Sequence, residues 1–117
     1  MQVKVDYVPE WHDVCAESDL VPNSGVCALI EEQQIALFAV KLEGEQKVFA
    51  ISNWDPIGKA NVMYRGILGS VKGDPVVASP LYKEHYSLTS GQCVEREDAS
   101  VMVFDIKLEN GRVWVAV

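Results

Sequence analysis

Two short stretches set polar side chains beside prolines. One is Asn53-Trp54-Asp55-Pro56-Ile57-Gly58; the other is Ser79-Pro80-Leu81-Tyr82, running on through Lys83, Glu84, His85 and Tyr86 to Gly91. Asp55, Ser79 and Tyr82 offer oxygen only. A neutral serine is a poor metal ligand, and a phenol with a pKa near 10 stays protonated at neutral pH. Soft or borderline ions need thiolate or imidazole donors. Cys93 stands alone nearby, and the two histidines are His12 and His85. A mononuclear site drawn from His12, His85, Asp55 or Glu84 has no recognised ligand spacing, neither a His pair at i, i+4 nor a Cys-x-x-Cys. On an extended strand Lys83, His85 and Ser87 share the face opposite Tyr86, which makes His85 a solvated polar residue. No serine sits in a Gly-x-Ser-x-Gly elbow or beside an evident His and carboxylate. Gly66-Ile67-Leu68-Gly69 and Gly73-Asp74 lack the Gly-Lys-Ser/Thr ending of a phosphate loop. The residues point instead to turn chemistry and contact. The Asp55 carboxylate can accept backbone N–H groups while Pro56 fixes φ, and Ile57 and Leu81 can fill the space between the loops. Tyr82 can cap that space with its ring. Trp54 and Tyr82 are also the residue types that anchor protein interfaces.

The elements that must hold these loops read as short strands. Trp11–Cys15 alternates, with Trp11, Asp13 and Cys15 on one side and His12 and Val14 on the other. Asp19–Gly25 is a turn-rich loop, and Val26–Ile30 is a strand followed by a polar turn at Glu31-Glu32-Gln33. Gln34–Lys41 and Gln46–Ser52 flank Leu42-Glu43-Gly44-Glu45 as a hairpin. Ile57–Ser70 carries three glycines without alternation and reads as loop, with one helical turn near Asn61–Tyr64. After the turn at Lys72-Gly73-Asp74, Pro75–Ser79 and Leu81–Leu88 are strands, the second placing Tyr82, Tyr86 and Leu88 on one face. Glu95–Ser100 is a charged connector; it and Glu31-Glu32 read as solvated faces. Val101–Leu108 and Val113–Val117 form the clearest hairpin, about Asn110-Gly111, the dipeptide a tight primed turn requires. Many short strands with frequent turns predict an all-β sandwich or barrel.

The chain has 117 residues, enough for one domain, 1–117, with its own core. Ten basic against seventeen acidic residues give a net charge of −7, a field that disfavours nucleic acid and anionic membrane as partners. No apolar run reaches the roughly 20 residues of a membrane span. Met1–Tyr7 lacks the pattern of a signal peptide, so the expected location is cytoplasmic. Three scattered cysteines, Cys15, Cys27 and Cys93, suit buried thiols in a reducing compartment better than disulfides.

The two loops resemble those of a Rieske-type iron–sulfur domain with the ligands replaced. Rieske centres hold one iron with two Cys and the other with two His. Ser79 and Tyr82 occupy the Cys and His positions of the Cys-Pro-x-His loop; Asp55 and Ile57 occupy those of the Cys-Pro-His loop. Pro56, Pro80, Tyr86, Leu88 and Gly91 keep the frame. Together with Gly25–Leu29, Val48–Asn53, Arg65-Gly66, Val77–Leu81 and Gly91–Cys93, the pattern is similar to the small subunit of assimilatory NAD(P)H-dependent nitrite reductase. The resemblance implies a Rieske-like antiparallel β-sandwich or barrel with two hairpin loops at one tip and no cluster or other cofactor in this chain. It implies a partner too: a large subunit carrying FAD, a [4Fe–4S] cluster and sirohaem, which reduces nitrite to ammonium with NAD(P)H. It assigns no catalytic residue here. The expected role is a non-redox accessory subunit, with a candidate interface at Trp54, Asp55, Pro56, Leu81, Tyr82, Lys83 and His85. The alternatives are a cluster-bearing Rieske ferredoxin-type electron carrier and a free-standing protein-binding β domain; an independent enzyme comes last.

Overall fold

The computed structural model describes residues 8–117, so the reading of Met1–Tyr7 lies outside the described residues. Among the described residues, twelve strands pair antiparallel into four sheets, two 3-10 turns connect them, and there is no α-helix. The central sheet has the order β10-β4-β3-β2, built from β2 (Ser24–Ile30), β3 (Gln33–Leu42), β4 (Glu45–Ser52) and β10 (Val103–Phe104). A second sheet sets β12 (Arg112–Ala116) between β1 (Trp11–Ala16) and β11 (Ile106–Glu109). A third sets β8 (Asp74–Ala78) between β7 (Ile67–Val71) and β9 (His85–Ser87). A two-residue ladder of β5 (Trp54–Asp55) and β6 (Ala60–Asn61) carries the first loop.

Turn chemistry fixes the registers. Leu42 faces Glu45, Val71 faces Asp74 and Glu109 faces Arg112, each pair closing a two-residue loop. In all three loops both central residues have positive φ: Glu43-Gly44, Lys72-Gly73 and Asn110-Gly111. That is the primed turn whose twist matches a right-handed hairpin, with glycine at the second position where a side chain is least welcome. A fourth loop of the same kind, Ile30 facing Gln33, has Glu31 at φ 47 and Glu32 at φ 66 with no glycine.

β3 is buried on both faces. Ile35, Leu37 and Ala39 point into a core with Ala50, Phe104, Val113, Val115 and Val117 from the second sheet side. Ala36, Phe38 and Val40 point into the other, with Ile51, Met63, Val77, Tyr86 and Leu88 from the third sheet side. The molecule is thus two cores separated by one shared sheet.

Several expected boundaries shift. Leu81–Leu88 is not a strand: the chain turns at Pro80–Tyr82, and only His85–Ser87 pairs. Tyr82 therefore parts company with Tyr86 and Leu88, which are fully buried, and Ser87 is buried rather than sharing a solvated face with Lys83. Val101–Leu108 is broken at Asp105, because Val103-Phe104 pairs with β4 while Ile106–Glu109 pairs with β12; the chain changes sheet there. Ile67–Val71 is a strand despite Gly69. A bulge between Asp13 and Cys15 interrupts the alternation of β1, so Val14 and Cys15 both pack on the same core. Cys27 is exposed rather than buried, while Cys93 is buried.

Candidate functional site

Asn53 begins the site. Its N–H donates to the Gln34 carbonyl (3.0 Å), and its own carbonyl accepts from Met63 N–H (3.1 Å). Its side-chain oxygen accepts from Tyr64 N–H (2.8 Å) and its amide donates to Gln34 Oε1 (3.1 Å). This fully buried residue ties the stem of the first loop to β3 and to the 3-10 turn Met63–Arg65. The sequence includes it in the stretch Val48–Asn53 that carries the resemblance, but no local spacing marks its partners.

Asp55, 1% exposed, is the hub of the loop itself. Oδ1 accepts the N–H groups of Ile57 (2.8 Å) and Gly58 (2.9 Å), an Asx-type closure of the turn that Pro56 pre-sets. Oδ2 accepts the hydroxyl of Ser79, which is also buried. The two residues that the sequence resemblance would set at cysteine positions are therefore bonded directly to each other. The second loop is closed by Ser79 N–H to Glu84 O (2.9 Å) and Lys83 N–H to Ser79 O (3.0 Å), with Lys83 at φ 64. The loops touch as well: a Cβ on Gly58 would stand 2.9 Å from Asp55 Oδ2 and 3.2 Å from Leu81 Cβ, so a side chain there would press on both loops.

Beneath this pair lies Tyr86, fully buried, its hydroxyl without a hydrogen-bond partner among the described residues. Burial pushes its pKa well above the ordinary phenol value, and the neighbouring Asp55 carboxylate adds to the effect. Beside the second loop Glu95 accepts the backbone N–H of His85 (2.7 Å) with Oε1 and meets His85 Nδ1 (2.7 Å) with Oε2. Partial desolvation pushes the Glu95 carboxyl up, but these bonds from His85 outweigh it and hold it below its ordinary value. Glu95 is exposed, as expected of a solvated charged connector, and it also clamps the stem of the second loop.

The predicted interface residues divide by exposure. Trp54 (45%), Leu81 (44%) and Tyr82 (66%) stand out in solvent, together with Lys83. Tyr82 does not cap the space between the loops. Pro56 and Ile57 are half-buried, Ile57 packing on the Phe38–Tyr86 core, and His85 is partly covered by Glu95. Asp55 lies below the surface and supports the tip rather than presenting itself. Of the residues considered for a mononuclear metal, His12, His85, Asp55 and Glu84, no three converge among the described residues.

The donor set does not fit a [2Fe–2S] cluster. Asp55 and Ser79 are hard oxygen groups already committed to each other, Ile57 has no donor, and the Tyr82 phenol is exposed.

Residues 10–116 match the family model of the Rieske-like [2Fe-2S] domain. The chain is 38% identical over 104 residues to the nitrite reductase (NADH) small subunit of Escherichia coli K12, covering 89% of this chain and 94% of that one. The solution structure of the E. coli protein NirD superposes with a TM-score of 0.81 at 37% identity, covering 93% of this chain and 97% of the other. A Klebsiella oxytoca nitrite reductase [NAD(P)H] large subunit is 39% identical over 105 residues, which are 90% of this chain but 11% of that protein. With the fold and a likeness that covers 89% to 93% of this chain in agreement, the chain belongs to the nitrite reductase small-subunit family of Rieske-like domains.

Proposed function

We propose that this chain is a non-redox accessory subunit of a cytoplasmic NAD(P)H nitrite reductase, docking through its two-loop tip on the large subunit and stabilising or tuning it. The observation that carries this reading is the Asp55–Ser79 hydrogen bond. It replaces a metal-held tip with a protein-held one, leaving the loops shaped and no thiolate or imidazole set with which to store an electron. What the tip then offers is contact surface: Trp54, Leu81 and Tyr82 exposed on linked loops, flanked by Lys83 and His85. Large aromatic side chains on a rigid support are favourable interface anchors, because little side-chain freedom is lost on docking. The Klebsiella large subunit, which contains a segment like this chain, supports the choice of partner. Joining two binding modules in one polypeptide makes their contact intramolecular, so a separate small subunit must supply that contact by affinity. FAD, a [4Fe–4S] cluster and sirohaem, with NAD(P)H as reductant, belong in this reading to the large subunit.

A tagged chain expressed with its large subunit tests the proposal. Recovery of that subunit with nitrite-reducing activity is expected. Trp54→Ala and Tyr82→Ala should each weaken association at least tenfold while the isolated variants keep their fold by circular dichroism. Two irons and two sulfides per small-subunit chain in anaerobically isolated material would overturn the non-redox role, and failure to recover the large subunit would favour a free-standing binding domain.

A further inference from the structure

A second group of donors converges outside the two tip loops. Glu10 extends the β1–β12 ladder, its N–H donating to Val117 O (3.1 Å) and its carbonyl accepting from Val117 N–H (3.0 Å). His12 follows two residues later in β1, opposite Val115. Alternate residues of an extended strand project to the same side, so Glu10 and His12 point together. Glu31 reaches them from the tight turn joining β2 to β3. One ligand atom from each of the three lies within 4.8 Å of the others.

The imidazole separates this group from an ordinary patch of surface acids. His12 is about three-quarters buried, and its Nε2 has no contact with solvent and no hydrogen-bond partner among the described residues. The nearest Glu31 oxygen stands 3.6 Å away, beyond hydrogen-bond range. Two ligands held about 2.0–2.2 Å from one tetrahedral ion stand roughly 3.3–3.6 Å apart, a separation that the His12 Nε2 and Glu31 Oε1 pair matches without forming a hydrogen bond of its own. We propose that Glu10, His12 and Glu31 form a binding site for a borderline divalent ion of the Zn2+ class. Imidazole selects transition ions over Mg2+ and Ca2+, and two carboxylates with a neutral imidazole balance a dication. Three protein ligands leave the fourth position to water or to a donor from a partner. The bound ion ties the edge strand β1 to the β2–β3 turn, with β2 the one strand between them along the chain.

Zn2+ titrated into the metal-stripped full chain at pH 7.5 tests the site, followed by calorimetry and by the melting temperature. One equivalent should bind saturably at micromolar concentration and raise the melting temperature, whereas Mg2+ at the same concentration should not. His12→Ala and Glu31→Gln should each weaken Zn2+ binding at least tenfold with circular dichroism unchanged; Glu32→Gln should change it less than twofold. The Glu31→Gln variant, on an exposed turn, keeps the test valid if His12→Ala fails to fold. Absence of saturable binding at 100 μM Zn2+, binding insensitive to both ligand variants, or equal loss with Glu32→Gln (diffuse attraction to acidic groups) would each overturn the proposal.

Discussion

Replacing Asp55 by alanine would orphan three donors at once, the N–H groups of Ile57 and Gly58 and the hydroxyl of Ser79. Hydrogen bonds to a charged acceptor are worth about 1.5–3 kcal/mol each and are not additive, so the expected loss is about 3 kcal/mol by urea unfolding. Ser79→Ala removes one of the three and should cost about 1.5 kcal/mol, and the double variant should show a coupling of about 1 kcal/mol or more. An Asp55→Ala variant within 0.5 kcal/mol of the parent would mean that the loops are held by packing instead. Gln92 is a different kind of hub. Its side-chain amide lies 3.0 Å from Arg96 O, 3.1 Å from Ala99 O, 3.3 Å from Cys93 O and 3.4 Å from Glu97 O, so two protons serve four carbonyls. Gln92→Glu turns an attraction into a repulsion and should lower the melting temperature more than Gln92→Ala does. Asp55-Pro56 and Ser79-Pro80 were legible in the sequence because proline and a short polar side chain carry local turn chemistry. Asn53, Gln92 and Glu95 were not, because their partners, Gln34, the carbonyls of the 93–99 loop and His85, are chosen by the fold and leave no local spacing.

Hairpins show the same divide among elements. Glu43-Gly44, Lys72-Gly73 and Asn110-Gly111 announce their turns, and each folds as its dipeptide dictates. The breaks that went unforeseen occur where tertiary pairing decides, as at Asp105, where one apolar run serves two sheets. Glu32 is the exception that can be tested, since a left-handed backbone costs a side-chain-bearing residue about 1 kcal/mol. At φ 66, Glu32→Gly should therefore stabilise the β2–β3 turn by about that amount, read as an increase in unfolding free energy. The clamp on the second loop predicts a pH effect. Glu95 has its carboxyl pKa lowered in the folded state from an ordinary 4.5, so folding favours its charged form. Its contribution is complete above the unfolded value and is lost as pH falls through the folded one. The difference in melting temperature between the parent and Glu95→Gln should shrink as pH falls below about 4.5; a difference unchanged into acid would show that the clamp does not act through charge.

At the scale of the whole molecule, the apolar run Ile35–Val40 carries more than a strand assignment. Its odd-numbered residues fill one core and its even-numbered residues the other, and on β4 Ala50 joins the first core and Ile51 the second. Neither core can lose its packing without exposing a face of the strand that walls the other, so the two should melt together. Phe38→Ala, which empties the largest side chain of β3, should cost about 3–5 kcal/mol and shift the single transition without splitting it. Trp54 and Trp114 make the test direct, one on the first tip loop and one on β12 behind the opposite core. Fluorine labels at the two indoles should report the same denaturant midpoint in the parent and in Phe38→Ala. An earlier midpoint at Trp54 alone would show that the tip opens separately from the sandwich. In that case the Asp55–Ser79 bond would govern the local shape of the docking loops and not the stability of the molecule, and the free-energy loss expected of Asp55→Ala would appear only at the Trp54 label.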